Sequence, residues 1–88
     1  MAERQVAIGS SVGLHARPAT VFVQAVQAAA AAVTIARGDG DPVDASSILN
    51  VLTLNVGSGD QVTLRADGDD ADATLDALVE LLQRDLDA

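Results

Sequence analysis

The chain has 88 residues and a formal charge of −8; its five basic residues are all Arg, and it holds one His, one Phe and no Lys, Cys, Tyr or Trp. That length fits one small domain, and the lack of Cys excludes disulfides, thiolate nucleophiles and sulfur-built zinc cages. The acidic balance without stacking aromatics excludes a nucleic-acid binder, and the longest apolar run, Ala28 to Val33, is too short to cross a bilayer. The N-terminus does not lead into a signal-peptide stretch, so a cytoplasmic protein is expected.

Arg4 to Ile8 reads as a first strand, with Val6 and Ile8 on one face. Gly9 to Gly13 is a loop by composition. A helix follows with Pro18 in its first turn, where the missing N–H costs nothing. Phe22, Ala25, Val26 and Ala29 then repeat at helical spacing, and the helix ends inside the Ala run. Val33 and Ile35 mark a second strand, Gly38 to Asp41 a hairpin turn, and Pro42 to Asp44 a short edge strand. Ser46 or Ser47 caps a short helix running to about Leu54. After a turn at Gly57 to Asp60, Val62, Leu64 and Ala66 alternate as a fourth strand. Asp69 or Asp70 caps the last helix, whose stripe is Leu75, Leu78, Val79, Leu82 and Leu86. The order βαββαβα predicts an α/β (α+β) two-layer open-faced sandwich, a four-stranded antiparallel sheet with three helices on one face.

Charge is uneven. Residues 1–38 hold one acid and three Arg, whereas residues 39–88 hold twelve acids and two Arg. The single His lies in the mildly positive part, within Gly13-Leu-His-Ala-Arg-Pro18. Here a Gly-containing loop meets a helix start, where unpaired N–H groups and partial positive charge attract anions. The same field favours a neutral, nucleophilic imidazole over an imidazolium. Arg17 adds a planar fork suited to phosphate, and Pro18 stiffens the first turn. Reversible phosphorylation of a ring nitrogen of His15 is the chemistry these groups favour.

The string Gly-Leu-His-Ala-Arg-Pro-Ala resembles the phosphohistidine signature of the HPr phosphocarrier family of the sugar phosphotransferase system. The resemblance covers nearly the whole chain. It implies strand order 1-4-2-3 and a carrier phosphorylated at Nδ1 of His15. Arg17 would steady the phosphoryl group, and the backbone N–H groups of Ala16 and Arg17 would face it. The implied donor is Enzyme I, charged by phosphoenolpyruvate, and the implied acceptors are IIA domains of sugar permeases. No cofactor, metal or turnover of its own is implied, and a monomer is expected.

The second candidate region is the short helix. Val51 and Leu54 share a side that can serve the core, while Ile48, Leu49 and Leu52 share a displaced side. That surplus of apolar residues predicts an exposed docking patch. The resemblance implies the same, with Thr20 and Val21 as the docking positions of the first helix. Ser47 matches the family's regulatory serine, the target of a kinase and phosphorylase in some bacteria; a simple helix cap is the competing reading. Many relatives place Lys on this face, where this chain has Gln24, Gln27, Ser46 and Asn50. Partner association should therefore depend less on salt.

Other readings are weaker. Gly57-Ser-Gly59 lacks the third Gly of a dinucleotide fingerprint. Asp67 to Asp72 looks calcium-like, but Leu78 stands where a bidentate Glu is needed. A small hydrolase built on Ser, His and Asp has little room for a cleft. The main alternative is a regulatory paralogue of the same fold, signalling carbon or nitrogen status by binding an enzyme or transcription factor.

Overall fold

A computed structural model describes residues 2–29 and 31–84. Seven elements follow in chain order: β1 (Ala2–Ala7), α1 (Ala16–Ala28), β2 (Ala32–Arg37), β3 (Val43–Asp44), α2 (Ile48–Thr53), β4 (Gln61–Asp67) and α3 (Ala71–Gln83). The strands form one sheet in the order β1-β4-β2-β3, and all three pairings are antiparallel.

The period-two pattern decides which face of the sheet is covered. Val6, Val33, Ile35, Val62, Leu64 and Ala66 are buried in one core with Phe22 and Val26 of α1, Val51 of α2, and Leu75, Leu78 and Leu82 of α3. Leu86, assigned to the same stripe by spacing, lies outside the described residues. Phe22 is fully buried, so its truncation to Ala would cost about 3–5 kcal/mol. That is a large share of the roughly 5–15 kcal/mol that holds a small domain together.

β1 begins at Ala2, two residues before the expected Arg4, because Ala2 and Glu3 find register partners in Ala66 and Arg65 of β4. Arg4 lies on the covered face, two residues from Val6, and reaches over the sheet edge to Asp72 (3.1 Å) and Asp76 (3.2 Å) of α3. Glu3, on the open face, pairs with Arg65 at 3.4 Å. Thr63 departs from the alternation: it is buried on the open face, where its hydroxyl donates to the carbonyl of Gly38 at 2.9 Å. β3 is shorter than expected and starts after Pro42, pairing with β2 only at Val43 and Asp44. This leaves it an edge strand, the position a Pro permits.

Asp70 is the N-cap of α3 by position, but its side chain makes no capping hydrogen bond. The expectation that an Asp side chain caps this helix is corrected on this point. α2 behaves as expected: its N-cap is Ser47, whose hydroxyl accepts from the backbone N–H of Asn50 at 3.4 Å.

Candidate functional site

The loop between β1 and α1 is stitched to three parts of the molecule. The N–H of Ile8 donates to Asp60 (3.0 Å) and that of Gly9 to Leu82, near the C-terminal end of α3 (2.9 Å). A side chain at Gly9 would overlap the backbone of Gln83. Further on, the N–H of Gly13 closes a turn onto Ser10 (3.1 Å) and that of Leu14 donates to Val56, just beyond α2 (3.0 Å). Gly13 has φ +75, and a Cβ there would lie 2.7 Å from the Cα of Gly57, with the carbonyl of Val56 closer still. Only Gly meets both demands. Asn55, at φ 53, turns the chain out of α2 so that Val56 is buried and its carbonyl meets Leu14.

This stitching fixes the start of α1. Leu14 is buried, and Ala19, buried five residues on, stands with it at the positions of a hydrophobic staple. His15 between them is the N-cap, in extended conformation (φ −127, ψ 164), and its side chain makes no capping hydrogen bond. No hydrogen bond joins its half-exposed ring to another described residue. The ring is therefore not spent on holding the helix. A helix leaves its first N–H groups without internal acceptors. Pro18 has none to offer, so Ala16 and Arg17 supply the donors of this turn.

Arg17 is exposed. Of the five Arg in the chain, four are each held by a carboxylate: Arg4 by Asp72 and Asp76, Arg37 by Asp60 (3.3 Å), Arg65 by Glu3, and Arg84 by Glu80 (2.6 Å). Arg17 pairs with no carboxylate among the described residues. Among the described residues, the one Arg without an acidic partner thus stands two residues from the one His.

The short helix divides its apolar residues more finely than spacing foretold. Leu49 is 72% exposed and Leu52 37%, whereas Ile48 is half-buried against the core. Of these three residues only Leu49 presents most of its surface outward, and Leu52 presents a little over a third. Thr20 is exposed and Val21 half-buried. Gln27 is already engaged: its amide donates to the Ser46 carbonyl at 3.0 Å and ties α1 to α2. Ser46 receives further support from Asp44, whose carboxylate accepts its hydroxyl (2.7 Å) and its N–H (2.9 Å). These two bonds, the hydroxyl's first, hold the Asp44 carboxyl below the usual carboxylate range. Sequence reasoning missed Val12, which is 50% exposed in the turn before Gly13. The available signal was an isolated apolar residue in a Gly/Ser loop, outside any strand or helix period.

Residues 2–84 match the family model described as "PTS HPr component phosphorylation site". The chain belongs to the HPr family of phosphocarriers of the phosphotransferase system. It is 46% identical over 87 residues to phosphocarrier protein HPr of Streptomyces coelicolor, covering 99% of this chain and 94% of that protein. It is 35% identical over 85 residues to the HPr-like protein Crh of Halalkalibacterium halodurans, covering 97% of this chain and all of that one (100%). The crystal structure of a phosphocarrier protein HPr from Bacillus anthracis superposes with a TM-score of 0.88 at 35% identity, over 93% of this chain and 96% of that one. Proteins of the HPr family work with other proteins of that system. Among the described residues, no helix is long and apolar enough to cross a membrane, and no cluster of His, Asp and Glu is arranged to hold a metal ion.

Proposed function

We propose that this chain carries a phosphoryl group on Nδ1 of His15, taken from phospho-Enzyme I and given to IIA domains of sugar permeases. The observation that carries the reading is the pairing of two unspent groups. The His15 ring caps nothing, and Arg17, two residues on, is the one Arg not held by a carboxylate among the described residues. In the transfer, the Nδ1 lone pair forms the N–P bond while the bond from phosphorus to the donor breaks, and the donor keeps that electron pair. Attack by the tautomer with Nδ1 unprotonated needs no prior loss of a proton. Arg17 and the N–H groups of Ala16 and Arg17 bind the phosphoryl oxygens, where charge-assisted bonds are strongest. The chain is a carrier without turnover of its own: partners supply the chemistry on either side.

Thr20, Val21, Ile48, Leu49 and Leu52 form the docking face in this reading, with Leu49 and Leu52 as its exposed apolar centre. Residues 1–88 act as one cytoplasmic domain and as a monomer. Ser47 is the candidate for regulatory phosphorylation by a serine kinase, reversed by a phosphorylase. Its hydroxyl now accepts from Asn50, so a phosphate there would retain a helix-start donor while adding charge beside the docking face.

The reading is tested by intact mass after incubation with phosphoenolpyruvate, magnesium and an Enzyme I known to charge another HPr. One acid-labile phosphoryl group, absent in His15→Ala, is expected. No modification of the wild type, with that Enzyme I active on the other carrier, would favour the regulatory reading, in which the protein signals by binding.

A further inference from the structure

Val12, Leu49 and Leu52 are the exposed large hydrophobic residues of the described chain. Val12 lies three residues before His15, and three trans peptides reach at most about 11 Å. Phosphoryl transfer brings the reacting atoms of two proteins to within about 3–3.5 Å of each other. The partner surface must therefore close over the His15 ring. A specific interface covers about 800 Å² on each protein, a round patch of about 16 Å radius. Val12 therefore lies within the radius of a partner centred on His15.

Val12 is also ready to be covered. Gly13 closes onto Ser10, Leu14 is buried, and the N–H of Leu14 is held by Val56. The backbone around Val12 is thus fixed, and the Val side chain has a single rotatable bond, so little freedom is lost when it is buried. The side chain offers neither charge nor hydrogen bond. A carboxylate set against it would be desolvated without a partner, whereas an apolar group would gain from burial.

We propose that Val12 is a specificity-determining contact for the transfer partner, which meets it with an apolar side chain and not with an acid. The proposal rests on the phosphocarrier reading. It extends the docking face onto the loop before His15, which the Leu14–Val56 hydrogen bond ties to the segment just beyond the helix that carries Leu49 and Leu52.

The test is the initial rate of phosphorylation by phosphoenolpyruvate-charged Enzyme I against carrier concentration, for the wild type, Val12→Thr and Val12→Asp, with thermal melts alongside. Val12→Thr keeps the shape of the side chain and adds a hydroxyl. It should raise KM about three- to tenfold, and Val12→Asp should raise it further. For both, kcat should stay within about twofold and the melts should match the wild type, as expected for a side chain 50% exposed. An unchanged KM in both variants would overturn the proposal. So would a fall in kcat at constant KM, which would make Val12 a positioning residue for the His15 ring. A lowered melt for Val12→Thr would assign Val12 to the fold instead. Failure of the wild type to accept phosphate from an Enzyme I active on another HPr is a separate outcome, which removes the phosphocarrier reading and this proposal with it.

Discussion

Arg65 and Arg17 are both exposed, yet Arg65 reaches Glu3 across the sheet at 3.4 Å and Arg17 reaches no carboxylate among the described residues. The open face of the sheet and the His15 corner differ in the same way throughout. On the open face Thr63 gives its hydroxyl to Gly38, and Glu3 and Arg65 answer each other as register partners. In the loop before His15 the backbone is tied down while several side chains are not: the N–H groups of Gly9, Gly13 and Leu14 are hydrogen-bonded, but the His15 ring caps nothing, and Val12, Leu49 and Leu52 stay exposed. A rigid backbone presenting unsatisfied side chains is how a site is built on a fold that is otherwise content with itself.

The largest effect expected from breaking this contrast is at Arg17. Arg17→Gln should slow phosphoryl acceptance on the order of 100-fold, the loss of one positioned charge in the transition state. Arg65→Gln should leave the rate within about twofold, since an exposed ion pair contributes about 0–1 kcal/mol to stability and nothing to transfer. Equal losses in rapid-mixing assays of the two variants would erase the distinction between the regions.

Gly13→Ala tests the rigid backbone. A Cβ set against Val56 and Gly57, on a residue at φ +75, should cost about 1–3 kcal/mol in urea unfolding. It should also slow transfer, because the same loop carries His15. A variant of wild-type stability and rate would mean that the loop yields easily. Leu49→Asp should raise KM for Enzyme I about tenfold without lowering the melting temperature, because Leu49 is 72% exposed. A lowered melting temperature would move Leu49 into the core.

The smallest expected effect is the pH response of the Asp44–Ser46 turn that leads into α2. Folding lowers the Asp44 carboxyl, so its contribution is present in full above the unfolded carboxylate range, near pH 4, and is lost as pH falls through the folded value. A carboxyl titration by NMR should place Asp44 below the ordinary aspartate range. An Asp44 midpoint above that range would reverse the sign.

Much of this was legible in the sequence because it is local. The groups proposed to act together lie within the six residues Gly13 to Pro18, and the alternation of Val62, Leu64 and Ala66 needs no knowledge of a partner strand. What sequence did not reveal depends on residues far apart in the chain. The early start of β1 follows from its register with β4. The division between half-buried Ile48 and exposed Leu49 follows from how α2 is tilted against the core. Asp70 occupies the cap position of α3, with φ −102 and ψ 18, yet its side chain makes no capping bond. The pairing of four Arg joins partners as distant as Arg4 and Asp76, so charge counts could not show that Arg17 meets no carboxylate among the described residues.

The most direct test of the central claim is an NMR spectrum of the phosphorylated, ¹⁵N-labelled protein, read for one-bond coupling between phosphorus and a ring nitrogen. The account predicts a single phosphoryl group coupled to Nδ1 of His15, with backbone N–H shifts at Ala16 and Arg17 when the phosphate is present. A phosphoryl group on Nε2, or on a hydroxyl such as that of Ser47, would contradict it.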